Sequence, residues 1–234
     1  MRLLVVNADD LGYDPAIDRG ILEAHAAGII TSATAMVGTP FSAAALQAAP
    51  ASLGVGLYAV LAPGLSGAAA EAALREQLSR FEDLRGAPPT HLDGHKHAHV
   101  APEVLPAVAR VAAERGLPVR AIDAGSRAAL RAAGIMTNDA FLGDADLRPA
   151  WTPEALLAAL EAVGEGVTEL MAHPGYAPTA VRTSFGVERE VELHTLLDPR
   201  ARDAVERAGI RLCNYAEARA VHSTRGGAER PSGG

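Results

Sequence analysis

Apolar runs and amphipathic stretches alternate along most of the chain. Short runs rich in Val, Leu and Ile predict strands, and stretches with apolar residues three or four positions apart predict helices. The predicted strands are residues 3–6, 29–37, 53–61, 90–93, 119–122, 135–137, 167–172 and 210–213. The predicted helices begin after Asp14, cover 42–49, 69–84 and 102–115, and begin again at Thr152 and Asp198.

This alternation is typical of an α/β protein with a parallel sheet. The most economical arrangement is a (β/α) barrel in a single domain, and an irregular or seven-stranded barrel falls within the prediction. An open, doubly wound sheet stays a second interpretation, because periodicity does not show closure. Residues 1–222 are predicted to form the barrel domain, and residues 223–234, rich in Gly, Ser and Arg, a disordered tail.

Composition narrows the class of protein. Hydrophobic residues make up 49% of the 234, enough for one large core, and the formal net charge of −7 disfavours nucleic acid as a partner. The single cysteine, Cys213, excludes an intrachain disulfide and favours a reducing cytoplasm. The N-terminal apolar run is too short for a signal peptide, and no stretch has the length of a membrane span. We therefore expect a cytoplasmic protein, with a homodimer as the default assembly.

Half of the chain's eight histidines lie in one short segment. They are His91, His95, His97 and His99. Imidazole is the commonest metal ligand and titrates near neutrality, so the segment indicates metal binding or proton transfer. A solvated polar turn is the alternative. No Gly-rich phosphate loop is present, which weighs against nucleotide-dependent chemistry.

Two further polar sites follow predicted strands. Asp9 and Asp10 are adjacent carboxylates beyond the first apolar run, where burial is costly unless a cation or a proton lies between them. His173 follows the strand 167–172 and precedes a Pro-Gly turn. Ligands bind at the carboxyl ends of strands in α/β folds, so these residues are predicted to converge there. Asp14, followed by Pro15, is interpreted as a helix cap.

Three motifs resemble a known family. Residues 7–12 (NADDLG), 90–97 (THLDGHKH) and 169–176 (ELMAHPGY) are similar to those of the YdjC-type carbohydrate deacetylases, which include chitooligosaccharide and hopanoid-biosynthesis-associated deacetylases. The resemblance runs from Arg2 to about Tyr215 and includes residues 189–193 (REVEL). It implies a β/α-barrel, metal-dependent hydrolase that removes N-acetyl groups from an amino sugar or a related N-acetylated glycoconjugate.

The resemblance also implies roles for individual residues. Asp9 matches the general base and His173 the candidate acid, while Asp10 and His95 match ligands of a divalent metal such as Zn²⁺ or Mg²⁺. The remaining polar residues of these motifs are expected to contact the substrate. They are His91, Asp93, His97, Tyr176 and Arg189.

The chain departs from the family pattern at one ligand. Where the family has Gly-Leu-His, with the histidine as third ligand, this chain has Gly56-Leu57-Tyr58, and a neutral phenol is a poor ligand. The metal is then held by Asp10 and His95 with waters, or by a substitute such as His97 or His91, or it is lost. The following segment, residues 62–70, is also shorter than the family's loop.

Two other classes of protein stay open. Tyr58 favours a degenerate barrel that binds a carbohydrate or metabolite without catalysis, although a binding module has no evident need for adjacent carboxylates facing a histidine. A metal-dependent phosphoesterase on a similar barrel would carry more histidines at its first strand and a basic phosphate clamp. Metal content and acetate release distinguish these alternatives.

Overall fold

Seven parallel strands form the centre of the fold in the part of the chain that a computed structural model describes, residues 1–143 and 151–228. Parallel pairing agrees with the predicted alternation of strands and helices. The strands are β1 (Arg2–Leu11), β2 (Ser32–Ala35), β3 (Gly54–Ala59), β4 (Leu92–Gly94), β5 (Ala140–Leu142), β6 (Gly166–Ala172) and β7 (Arg211–Leu212).

The sheet curves into an irregular barrel. Its order is β4-β3-β2-β1-β6-β5, and β7 pairs with the beginning of β1. Beyond β4, Leu92 N donates to Pro118 O and Arg120 N donates to Leu92 O. Val119 N in turn donates to Met136 O, shortly before β5. These bonds continue the curve from β4 towards β5, and the predicted fold class is confirmed.

Helices surround the strands. The helix that follows Asp14 begins as predicted, because the Asp14 side chain accepts a hydrogen bond from Ala16 N and Pro15 occupies the first turn. The helices are α1 (Pro15–Ala27), α2 (Ser42–Ala48), α3 (Gly67–Arg85), α4 (Leu105–Arg115), α5 (Ala124–Ala132), α6 (Pro153–Glu161), α7 (Glu188–Leu197), α8 (Pro199–Arg207) and α9 (Tyr215–Ala228), with a short 3-10 segment at His95–Val100.

The alternation of side chains along β1 explains how polar groups enter the barrel. Leu3 and Val5 pack with Tyr215 on the inner face, and the residues between them pack against the helices. Asn7 and Asp9 continue the inner face and are fully buried. The barrel interior is therefore apolar at its amino end and polar at its carboxyl end, which is where ligands bind in such folds.

Two predicted strands are wrong. Residues 119–122 make only one bridge, between Val119 and Leu92, and residues 135–137 form no strand. The cause is the side chain of Asn138, which takes the backbone hydrogen bonds that a neighbouring strand would otherwise make. Asn138 Oδ1 accepts from Ala121 N at 2.8 Å and Asn138 Nδ2 donates to Ala121 O at 2.8 Å.

The C-terminal boundary also differs from the prediction. Helix α9 continues to Ala228, so residues 223–228 of the predicted disordered tail are helical, and residues 229–234 lie outside the described part. Within the described ranges, every helix is too short or too polar to cross a membrane.

Candidate active site

A buried arginine organises the polar end of the barrel. Arg120 bonds both oxygens of Asp9, at 2.7 and 2.9 Å, and lies 2.8 Å from Asp93 and from Glu169. All four side chains are fully buried. A buried charge is costly without a partner, so the four residues stabilise one another as a unit. We call them the Arg120 network.

The single positive charge of Arg120 cannot neutralise three ionised carboxylates. Burial acts to raise the pKa of Asp9, but the adjacent Arg120 charge outweighs it and holds that pKa well below its usual range. For Asp93 burial dominates and raises the pKa well above its usual value, and it raises the pKa of Glu169 as well. Arg120 thus favours the ionised form of Asp9, while burial favours the protonated form of Asp93.

A cavity of about 410 Å³ opens above the Arg120 network. Its lining combines imidazoles, a carboxylate, two phenols, hydroxyls and cations with two apolar side chains. The lining residues are Asp10, Tyr13, Tyr58, His95, Lys96, His97, Met171, His173, Arg182, Thr183, Ser184, Phe185 and Arg189.

Asp10 lies between a cation and a histidine at the base of this cavity. Its Oδ2 accepts from Arg189 Nη2 at 2.6 Å, and its Oδ1 lies 3.8 Å from His95 Nδ1. Neither Asp10 Oδ1 nor His95 Nδ1 has a hydrogen-bond partner in the described part of the chain. Asp10 has φ 73°, and the β1–β2 register shifts between Ala8 and Leu11. This irregularity turns the two adjacent aspartates to different surroundings.

These unpartnered atoms fit a divalent cation as two ligands. Burial lowers the pKa of His95, so its imidazole is neutral, which is the form that binds metals. Tyr58 stands edge-on to His95, with ring centroids 5.5 Å apart. Burial, followed by the charges of Asp9 and Asp10, raises the pKa of Tyr58 well above its usual value, so it is a neutral phenol. Among the described residues, no set of three His, Cys, Asp or Glu side chains is arranged to hold a metal.

Two histidines border the rest of the cavity. Burial lowers the pKa of His97 to about 4, and its Nδ1 has no partner among the described residues. His173 packs against Phe185, with ring centroids 5.2 Å apart, and its backbone N–H donates to Glu192. An imidazole that resists protonation, His97, and one that is held at the end of β6, His173, thus face the same space.

The structure brings six of the predicted site residues to the cavity, and four lie elsewhere. The six are Asp10, Tyr58, His95, His97, His173 and Arg189. Asp9 and Asp93 lie beneath, in the Arg120 network. His91 is fully buried and stacks on Tyr215 at 4.3 Å, and burial lowers its pKa to about 3. Tyr176 donates its hydroxyl to Glu23 of α1 at 2.6 Å.

The substrate contacts of His91, Asp93 and Tyr176 stay predictions, and these three side chains lie away from the cavity. The first two are enclosed by the barrel, and the third packs against the outside of α1. Arg120 was not predicted, although an arginine within the apolar stretch 117–122 was a signal for a buried counter-charge. The cavity residues 182–185 carried no sequence signal that we recognised.

Comparisons with known proteins agree with this geometry. The sequence model of the YdjC-like protein family matches residues 3–207. A carbohydrate deacetylase from Geobacillus stearothermophilus is 33% identical over 92% of this chain and 98% of its own length. A chitooligosaccharide deacetylase from Serratia marcescens is 32% identical with the same coverage.

Solved structures show the same fold. A proposed cellobiose-phosphate cleavage protein from Enterococcus faecalis V583 is 26% identical, with a TM-score of 0.81 over 92% of this chain and 98% of that chain. A family 4 acetyl xylan esterase from Clostridium thermocellum, in complex with a cobalt ion, is 16% identical with a TM-score of 0.58, over 94% and 91% of the two chains. The second likeness is one of fold alone. The family match and the relatives above 30% identity give one conclusion: the chain belongs to the YdjC-like protein family.

Proposed function

We propose that the protein is a metal-dependent hydrolase that removes the N-acetyl group from an amino sugar or a related N-acetylated glycoconjugate. The observation that carries the proposal is the unpartnered pair of Asp10 Oδ1 and His95 Nδ1 at the base of a cavity, with His173 on the same cavity and Asp9 beneath it. The relatives named as carbohydrate deacetylases support the class of substrate.

The reaction is the hydrolysis of an amide. Water adds to the acetyl carbonyl, the C–N bond breaks, and acetate and a free amine leave. The step needs a base for the water's proton, stabilisation of the carbonyl oxygen and a proton for the amine. A divalent cation such as Zn²⁺ or Mg²⁺, held by Asp10 and His95, would make a nearby water more acidic and polarise the carbonyl.

Asp9 is assigned as the base. Its Oδ2 accepts one hydrogen bond, from Arg120 Nη1, and so retains capacity for a proton. Because Arg120 holds the pKa of Asp9 low, Asp9 is a weak base and serves only a water that is already acidified. The low proton affinity of Asp9 thus explains why the reaction would require a cation, since only a cation would make the water acidic enough for so weak a base.

The leaving amine and the carbonyl oxygen have their own partners. His173 is assigned as the acid that protonates the amine, because it lies on the cavity with its backbone held by Glu192. Arg189 lies on the cavity with Nη1 unpartnered in the described residues, so that N–H is available to the carbonyl oxygen. Its other terminal nitrogen holds Asp10.

A second candidate function is a carbohydrate-binding barrel without catalysis. The neutral phenol of Tyr58 at the position of the family's third ligand favours it, because two protein ligands hold Zn²⁺ less firmly than three. The two functions differ in acetate release, which only the first produces.

The test measures acetate release from N-acetylglucosamine dimers and trimers. Protein treated with a chelator is assayed before and after Zn²⁺ or Mg²⁺ is restored, and metal content is determined on the same samples. His95→Ala should lose both metal and acetate release. His194→Ala is the matched control, because in the described part of the chain that exposed imidazole bonds Glu190 O of its own helix and nothing else.

Each outcome identifies one candidate. Acetate release that depends on the restored cation supports the deacetylase. Binding of the sugar by metal-loaded protein without any acetate supports the non-catalytic barrel. Release of phosphate from a phosphorylated N-acetyl sugar, without acetate, would instead indicate a phosphoesterase.

A further inference from the structure

The chain between β6 and α7, residues 173–187, passes over the cavity, and its middle is held by one attachment on each side. Its middle contributes Arg182, Thr183 and Ser184 to the cavity lining. Val181, Arg182 and Ser184 make no hydrogen bond or ion pair with any described residue. We call residues 181–184 the strap.

The first attachment is the carboxylate of Asp14. Its Oδ1 caps α1 by accepting from Ala16 N at 2.8 Å. Its Oδ2 accepts from Thr179 N at 3.1 Å and from Ala180 N at 2.7 Å, directly before the strap. Asp14 is fully buried, so one enclosed carboxylate joins the beginning of α1 to the beginning of the strap.

Neighbouring contacts bring the two segments together. Tyr176 N donates to Ala16 O at 3.2 Å. A Cβ added at Gly20 would lie 2.5 Å from Gly175 Cα, so α1 and the loop meet backbone to backbone. These contacts hold residues 175–176 against α1, but among the described residues only Asp14 bonds the backbone of Thr179 and Ala180.

The second attachment is Arg189. Its Nε donates to Phe185 O at 2.9 Å, while its Nη2 holds Asp10. The strap thus lies between two fixed points, Ala180 bonded to Asp14 and Phe185 bonded to Arg189. The Arg182 guanidinium and the Ser184 hydroxyl of the strap make no bond to the described residues, so they can bond a ligand that carries hydroxyl groups, as a sugar does.

We propose that residues 181–184 are a substrate-recognition strap and that Asp14 is the positioning residue that fixes this strap over the cavity. The inference rests on the proposed function for the nature of the ligand, but the anchoring by Asp14 does not. Asp14 touches neither the cavity nor the reacting atoms. Its loss should therefore weaken substrate binding and leave the chemical step intact.

The test compares Asp14→Ser with Asp198→Ser. Serine caps a helix as aspartate does but is too short to reach Thr179 and Ala180. Asp198 caps α8 by accepting from Arg200 N, and among the described residues its carboxylate bonds Arg200 alone. Asp14→Asn is a second, milder variant, because an amide nitrogen in place of Oδ2 cannot accept from the two N–H groups.

Trypsin reports on the strap without any substrate, since it cleaves after the exposed Arg182. Cleavage there should be about ten-fold faster in Asp14→Ser and unchanged in Asp198→Ser, because a released segment opens more often. KM for the N-acetylated sugar should rise about ten-fold with kcat within a factor of two, which indicates lost binding rather than lost chemistry.

The failures are distinguishable. Unchanged cleavage in Asp14→Ser overturns the anchor, and faster cleavage with unchanged KM overturns the recognition role. If the wild type releases no acetate, the proposed function fails instead. Calorimetry with N-acetylglucosamine trimer then tests whether the strap binds the sugar. Kd should rise about ten-fold in Asp14→Ser, and an unchanged Kd would refute the recognition role of the strap.

Discussion

Replacing Arg120 by methionine should destabilise the protein strongly, and more so as the pH rises. Methionine preserves much of the length and apolar stem of arginine but removes the charge. Asp9, Asp93 and Glu169 would then face one another inside the barrel without a cation. Removing one partner of a buried ion pair costs about 3–5 kcal/mol. We expect a loss in that range at pH 8.

The pH dependence follows from Asp9. In the wild type its folded pKa is below the unfolded value, so its contribution to stability is present above about pH 4 and lost as the pH falls through the folded pKa. In Arg120→Met, burial alone acts and raises the folded pKa above the unfolded value. The contribution is then present below about pH 4 and lost as the pH rises. The difference between the two proteins should therefore widen from pH 5 to pH 8.

Urea denaturation followed by circular dichroism at both pH values measures this difference. Arg75→Met is the matched control, because Arg75 is half-exposed, its partner Glu114 is exposed, and its other partner Glu71 keeps Arg110 as a second cation. Its loss should leave the free energy of unfolding nearly unchanged at either pH. A loss in Arg120→Met that is equal at pH 5 and pH 8, or as small as that of Arg75→Met, would refute this account of the Arg120 network.

Three further variants test single residues. Asp9→Asn should retain Zn²⁺ affinity in calorimetry and lower kcat roughly 10²- to 10⁴-fold, as expected for a general base, and a near-normal kcat would leave Asp9 a structural role only. Tyr58→His should raise Zn²⁺ affinity, because it supplies a third ligand beside Asp10 and His95, and an unchanged affinity would mean that position 58 does not face the ion. Burial, aided by Asp14, raises the pKa of Asp18 to about 7. Its contribution to stability is therefore present below its unfolded pKa and lost as the pH rises through about 7. Asp18→Asn should accordingly gain stability relative to the wild type between pH 5 and pH 8, by roughly 2–4 kcal/mol in urea denaturation, and a pH-independent difference would contradict this assignment.

The alternation of apolar and amphipathic stretches was sufficient to predict a parallel barrel, but it misplaced polar strand residues. The first strand was predicted to end at Val6, yet β1 continues to Leu11. The reason is that Asn7 and Asp9 face the barrel interior, where Arg120 compensates the charge of Asp9. A partner 111 positions away in the chain leaves no trace in the local pattern.

The histidine segment, residues 91–99, likewise shows that the local sequence does not reveal which side chains line the cavity. Spacing alone does not say which of its imidazoles face the cavity. Lys96 and His97 adopt left-handed backbone angles directly after β4, and the chain turns there. His95 and His97 consequently line the cavity, while His99 is buried with Nε2 on Arg120 O. The predicted cytoplasmic location, homodimer and lack of nucleic-acid binding stay predictions.

The backbone of Asp10 has a consequence for how the chain has been selected. A φ of 73° is one that glycine adopts freely and that costs most other residues roughly 1–2 kcal/mol. Backbone strain by itself would favour glycine at this position, but a glycine would leave the buried Arg189 guanidinium without its carboxylate. The ion pair thus outweighs the backbone cost, so a variant library screened for thermal stability should keep aspartate at residue 10 ahead of glycine.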